Sequence, residues 1–141
     1  MLTEGAIATD EFATLVGEIP HDQMLDLRLM ALAADWREIQ GRKYDTAEAN
    51  FWEPCQRAFF IRIPPGGSIP RHHDVFIPGI THHLIVRSNF QSLNGWIDTQ
   101  GKERTIHLAE GKRYTVSREP LHWATNNGHT DRIHLLVEYG Q

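Results

Sequence analysis

From residue 58 onward the chain is cut into short apolar segments by glycine, proline and asparagine at close, even intervals, and this punctuation excludes most folds. AFFIRI (58–63) reads as a strand, Pro64-Pro65-Gly66-Gly67 as a turn, and Ser68 to Asp74 as the next strand. Pro78-Gly79 and Asn94-Gly95 are turn signals on either side of the strand THHLIVRS (81–88). Gly95 to Thr99, Arg104 to Leu108, Arg113 to Ser117, His122 to Thr125 and Arg132 to Tyr139 complete about eight strands, the last two joined by a turn at Asn126-Asn127-Gly128. Short strands in such number hide their apolar faces by closing into a barrel or stacking as two sheets. The expected fold is mainly β: a jelly-roll, or double-stranded β-helix, barrel.

The residues ahead of the barrel carry a different period. Phe12, Leu15, Val16 and Ile19 have helical spacing, with Thr9 or Asp10 as cap and Pro20 as breaker. A second, longer helix is predicted from an Asp22 cap to about Gln40, with an apolar stripe of Leu25, Leu29, Leu32, Trp36 and Ile39, stopped by Gly41. Both helices are expected to pack outside one sheet. Residues 41–57 show no clean period and read as a long loop. That loop is either a lid, as 75–80 is also placed to be, or a plain connection with Phe51 and Trp52 in the core. The 141 residues suit a single domain, with 1–40 as helical support and 58–140 as the barrel.

Composition narrows the class. A formal net charge of −4 without a Lys/Arg run gives no strong nucleic-acid signal. No apolar run approaches the ~20 residues of a membrane span, and the N-terminal stretch lacks a basic region ahead of an apolar one. The lone cysteine, Cys55, forms no internal disulfide and fits a reducing, cytoplasmic setting. The nine histidines are the anomaly.

Two of these histidines point to a metal. His72 and Asp74, one residue apart on a strand, share a face. An imidazole and a carboxylate on one face are two thirds of the 2-His-1-carboxylate set of non-haem Fe(II) oxygenases. His122, in Pro120-Leu121-His122-Trp123, lies 48 residues past Asp74 on a strand that a jelly roll brings alongside, and is the expected third ligand. Arg132, ten residues further on, opens the final strand and faces the same cavity as His122. Its guanidinium suits bidentate capture of a carboxylate. On that last strand Ile133, Leu135 and Val137 point to the helix side, and Arg132, His134, Leu136 and Glu138 to the cavity. His73 points away from the ligands. His107, His129 and His134 read as structural or solvent-facing, with His134 sharing the parity of Arg132. Trp96, Trp123 and Phe76 read as core, and Asn126 as a group orienting a backbone or a ligand.

The pattern His-x-Asp … His-x10-Arg resembles that of Fe(II)/2-oxoglutarate-dependent dioxygenases. More specifically, GGSIPRHHD (66–74), HHL (82–84), Trp96 and HWATNNGHTDRIHLLVEY (122–139) resemble the aspartyl/asparaginyl β-hydroxylase family. The resemblance covers roughly residues 58–140. It implies Fe(II) held by His72, Asp74 and His122. It also implies 2-oxoglutarate as co-substrate, with its distal carboxylate on Arg132 and a further contact from His83. The alternation admits one of His82 and His83 to the cavity, and the resemblance selects His83. The family carries an arginine two residues before this histidine, where this chain has Thr81. Arg87, which shares strand parity with His83, or Arg62 is expected to replace it. The implied reaction uses O2 and 2-oxoglutarate to hydroxylate an unactivated C–H of an amino-acid-like small molecule or a peptide side chain, releasing succinate and CO2. Two other readings stand beside it: a cupin-type metalloenzyme without a keto acid, and a non-catalytic jelly-roll domain that binds a ligand.

Overall fold

The computed structural model describes residues 12–49, 57–73 and 80–138. Among them run β1 (Ala13–Glu18), α1 (His21–Ala33), β2 (Asp45–Glu48), β3 (Arg57–Ile63), β4 (Ser68–His72), β5 (Ile80–Arg87), β6 (Ser92–Ile97), β7 (Glu103–Ile106), β8 (Lys112–Ser117), β9 (His122–Asn126) and β10 (Arg132–Glu138). They form a six-stranded sheet, β1-β8-β5-β10-β3-β2, facing a four-stranded sheet, β4-β9-β6-β7. Every named pairing is antiparallel. This is the predicted double-stranded β-helix, with a helix outside the larger sheet.

Alternation along β10 builds both faces of that sheet. Ile133, Leu135 and Val137 join Leu84, Val86, Ala58 and Phe60 in one buried cluster, closed from outside by Met24, Leu27 and Ala31 of α1. Arg132, His134, Leu136 and Glu138 turn to the space between the sheets, as the period-two pattern predicts.

Two expectations ahead of the barrel are corrected. Residues 13–18 form a strand, not a helix, pairing with the outer edge of β8. A bulge between Leu15 and Gly17 interrupts the alternation, so the apolar residues there mimic a helical spacing. Leu15 and Val16 are exposed while Phe12 and Ile19 are buried. The second helix does form, but ends at Ala33 rather than near Gln40. The Trp36 indole donates to the Ala31 carbonyl at 3.0 Å, satisfying one terminal acceptor and turning the chain away. The buried face is also different: Leu25, Leu29 and Leu32 are exposed, at 46%, 64% and 83%. Two overlapping apolar stripes obey the same helical period, and the sheet takes the one ending in small Ala31.

Two turn and loop readings change as well. The stretch 41–57 contains β2, paired with β3; Phe51, Trp52 and Cys55 lie outside the described residues, as do 75–79. Asn94-Gly95 lies inside β6 rather than in a turn. Glycine is needed at 95 because a Cβ there would overlap the Trp123 indole on the neighbouring strand. Trp123 in turn carries the Arg71 guanidinium 4.0 Å over its ring, and Arg71 ion-pairs with Glu103. This strap crosses all four strands of the smaller sheet. Asn126, fully buried, donates to the Ile63 and Thr130 carbonyls at 2.8 Å each and accepts from Ser92, Asn89 and the Gly128 amide. It orients backbone at the closed end of the barrel.

Candidate active site

The two sheets enclose a cavity of about 330 Å³, within the usual ~300–1,000 Å³ range of small-ligand pockets. Strand register gives it two ends. At one, His72 pairs directly opposite His122, near the start of β5 and the residues that follow β8. At the other lie Arg132, opposite Ile63, and the buried Asn126.

His72 and His122 arrive by the same local device. Each follows a proline by two residues and donates its Nδ1 proton to that proline's carbonyl, at 2.8 Å to Pro70 and 2.7 Å to Pro120. A neutral ring so bonded keeps its lone pair on Nε2, the pattern of a metal-ligating histidine oriented by an outer hydrogen bond. The ring centroids are 4.2 Å apart, and Phe12 packs 5.5 Å from His122. The donor set therefore fits a divalent metal that accepts imidazole. Among the described residues no group of three or more metal-ligating side chains forms; Asp74, the expected carboxylate, lies outside them. His73, expected to point away from the ligands, also lines the cavity, with its Nδ1 3.4 Å from the Glu119 carbonyl.

Arg132 is 3% exposed. Among the described residues its hydrogen-bond partners are both neutral: Asn94 Oδ1 at 2.7 Å and His134 Nδ1 at 3.1 Å. Burial without a counter-charge pushes its pKa down to about 9. A guanidinium held this way is an anion site awaiting its anion.

His83 does line the cavity, and His82 takes the other face, where burial and then Arg113 lower its pKa. Neither arginine expected to replace the one missing at Thr81 reaches the cavity. Arg62 lies on the helix side, ion-paired with Asp45 at 2.9 Å and 4.4 Å over the Trp36 ring. Arg87 is exposed. A register shift between Ile133 and His134 breaks the parity that linked Arg87 to His83.

A guanidinium does reach Thr81, from Arg118. It is 8% exposed, lines the cavity, and donates from Nε to Thr81 Oγ1. Ser117 pairs with Ile80 and Val116 with Thr81, so the residue just past β8 lies beside the first residues of β5. The sequence signal was available in part: Arg118 sits four residues before His122 on a neighbouring connection. Only the register brings it to Thr81.

In fold the chain is similar to several solved proteins. An oxidoreductase of the 2OG-Fe(II) oxygenase family from Burkholderia pseudomallei superposes with a TM-score of 0.72 at 8% identity, over 89% of this chain and 82% of that one. A Pseudomonas putida prolyl-4-hydroxylase gives 0.67 at 11% identity, over 92% and 93%. HygX from Streptomyces hygroscopicus, solved with nickel, 2-oxoglutarate and hygromycin B, gives 0.73 at 7% identity, over 92% and 82%. A search of curated proteins finds no match. No helix among the described residues is long and apolar enough to cross a membrane. The family model described as "Aspartyl/Asparaginyl beta-hydroxylase" matches residues 44–141, well over half of the chain. The chain thus belongs to the aspartyl/asparaginyl beta-hydroxylase family.

Proposed function

We propose that this chain is an Fe(II)- and 2-oxoglutarate-dependent dioxygenase that hydroxylates an unactivated C–H, releasing succinate and CO2. The substrate carbon belongs to a small amino-acid-like molecule or to a peptide side chain. The observation that carries the reading is Arg132, a buried cation with only neutral partners among the described residues, across the cavity from the paired imidazoles of His72 and His122. A site without a keto diacid leaves that cation unexplained.

In this reading His72, Asp74 and His122 hold the metal. Bound Fe(II), with 2-oxoglutarate and O2, supplies the oxidising chemistry that no side chain here provides. The protein's part is placement. Arg132 takes the distal carboxylate of the co-substrate, a bidentate match for the fork of its donors. Arg118 serves the carboxylate nearer the metal end, the contact first assigned to Arg87 or Arg62, with His83 on the same wall. Thr81 Oγ1 holds the Arg118 side chain in place. Phe59, Ile61 and Leu136 give the cavity an apolar wall, which limits access of water.

Succinate formation that requires both Fe(II) and 2-oxoglutarate, assayed over a panel of amino acids and short peptides, tests this. Failure of the metal-loaded protein to bind 2-oxoglutarate would sink it.

A further inference from the structure

Two charges of opposite sign at the mouth of the cavity have no part in the scheme above. Arg132 pairs with Ile63 at the closed end, and the same register carries β10 and β3 outward to Glu138 opposite Arg57. Asn126, the last residue of β9, ties that strand to the closed end through the Ile63 carbonyl at 2.8 Å. The first residue of β9 is His122, so Arg57 and Glu138 lie at the same end of the barrel as the paired imidazoles. Both line the cavity.

Side chains directly opposite on one face of an antiparallel pair are neighbours, and opposite charges so placed attract. Here the pair stands open. The Arg57 guanidinium lies 4.6 Å over the Phe59 ring, and among the described residues neither Arg57 nor Glu138 has an ion-pair partner. A cation and an anion at adjacent positions offer one place for an incoming anion and one for an incoming cation. An α-amino acid carries that complementary pair on a single carbon. Phe59 and Leu136 pair across the same two strands, about 7 Å deeper. Both are half-buried and line the cavity, so the surface just inside the rim is apolar.

We propose that Arg57 and Glu138 read the head group of a free aliphatic α-amino acid. Arg57 receives its carboxylate and Glu138 its ammonium, while its side chain lies against Phe59 and Leu136. This rests on the proposed function and narrows its substrate. An amino acid within a peptide chain has lost both charges to amide bonds, so both rim charges would give up water without gaining a partner, which costs affinity.

The test uses the full chain loaded with Zn(II) and saturated with 2-oxoglutarate. It is titrated calorimetrically with L-leucine, L-isoleucine, L-valine and L-methionine, and with the N-acetyl and the carboxamide derivative of each. At least one free amino acid should bind. Each of its two derivatives should bind about tenfold or more weaker, the effect of losing a hydrogen bond between charged groups. Glu138→Gln should weaken the free amino acid and its carboxamide by a similar factor and leave the N-acetyl derivative, which has no ammonium, unchanged. Arg57→Gln should weaken the free amino acid and its N-acetyl derivative and leave the carboxamide unchanged. Should either variant not fold, the derivative series on unaltered protein decides. Binding of no free amino acid, derivatives that bind as tightly as the parent, or variants that weaken all three forms alike would overturn the proposal. Failure to bind 2-oxoglutarate at the loading step would instead sink the proposed function, and this inference with it.

Discussion

His72 and His122 face each other as direct cross-strand partners, with ring centroids 4.2 Å apart and each Nδ1 proton fixed on the carbonyl of a proline two residues earlier. The same hydrogen bond fixes the tautomer of each ring, as an outer contact does for a metal-ligating histidine. His72→Ala and His122→Ala should therefore each weaken Co(II) binding by more than about 100-fold, beyond the 10–100-fold typical of outer-shell changes. Titration of the cobalt absorption bands reads this directly. Far-ultraviolet circular dichroism should stay as in the unaltered protein.

Arg132→Met separates ligand binding from stability. Burial lowers the Arg132 pKa to about 9, equivalent to roughly 5 kcal/mol against the charge. Removing the side chain also leaves Asn94 Oδ1 without its donor and His134 Nδ1 with only His83, at about 1–3 kcal/mol for each bond lost. The terms oppose and are of similar size. The ligand-free variant should melt within about 5 °C of the unaltered protein, while the stabilisation by 2-oxoglutarate disappears. A variant that keeps its full ligand-induced shift would contradict the role given to Arg132.

The guanidinium of Arg118 is held against Thr81, which suggests an exchange. Arg118→Ala should raise the KM for 2-oxoglutarate about tenfold or more, as loss of a charged hydrogen bond does. Adding Thr81→Arg to that variant should restore much of the affinity, because a guanidinium then reaches the same region from β5. Steady-state kinetics on the single and double variants measure the recovery; its absence counts against the shared location.

Gly95→Ala tests the outer strap. The added Cβ would overlap the Trp123 indole, which must move and release Arg71 from its ring. Overpacking of this kind destabilises by about 1–3 kcal/mol. A urea melt should report that loss. A crystal structure of the variant should find β4, and His72 with it, displaced relative to β9.

The pH dependence of stability has a definite sign. The folded-state pKa values of His134 and His82 are lowered, in both by burial first. The unfolded chain then binds more protons below its ordinary histidine value near 6.5, so stability rises with pH in that window and falls on acidification. Urea melts of the ligand-free protein between pH 8 and 5 should show this loss setting in below about 6.5, and His134→Gln should flatten the slope. Stability that stays level to pH 5 would refute it.

The barrel was readable from sequence because its signals are local. Turn residues mark the strand ends, and the period of two on β10 correctly separates Leu135 from His134. The placement of His72, His122 and Arg132 on one cavity was readable for the same reason, since each sits at a strand terminus at a fixed spacing. What escaped depends on contacts between distant segments. The helical spacing of residues 12–19 hid a bulged strand whose partner is β8. Glycine at 95 resembles a turn until Trp123 is set against it. Arg118 meets Thr81 only through the β5–β8 register. Arg87 obeyed the alternation rule until a bulge across from β10 cancelled it.

The buried charge of Arg132 also bears on how long the protein survives. A fold that hides a cation with no counter-charge among the described residues gives up stability whenever an anion for it is scarce. Occupancy returns RT ln(1 + [L]/Kd), about 2.7 kcal/mol at a hundredfold excess over Kd. Resistance to proteolysis would then follow the supply of the dicarboxylate. If the anion is the proposed co-substrate, the protein would be cleared sooner from a cell in which that dicarboxylate runs short.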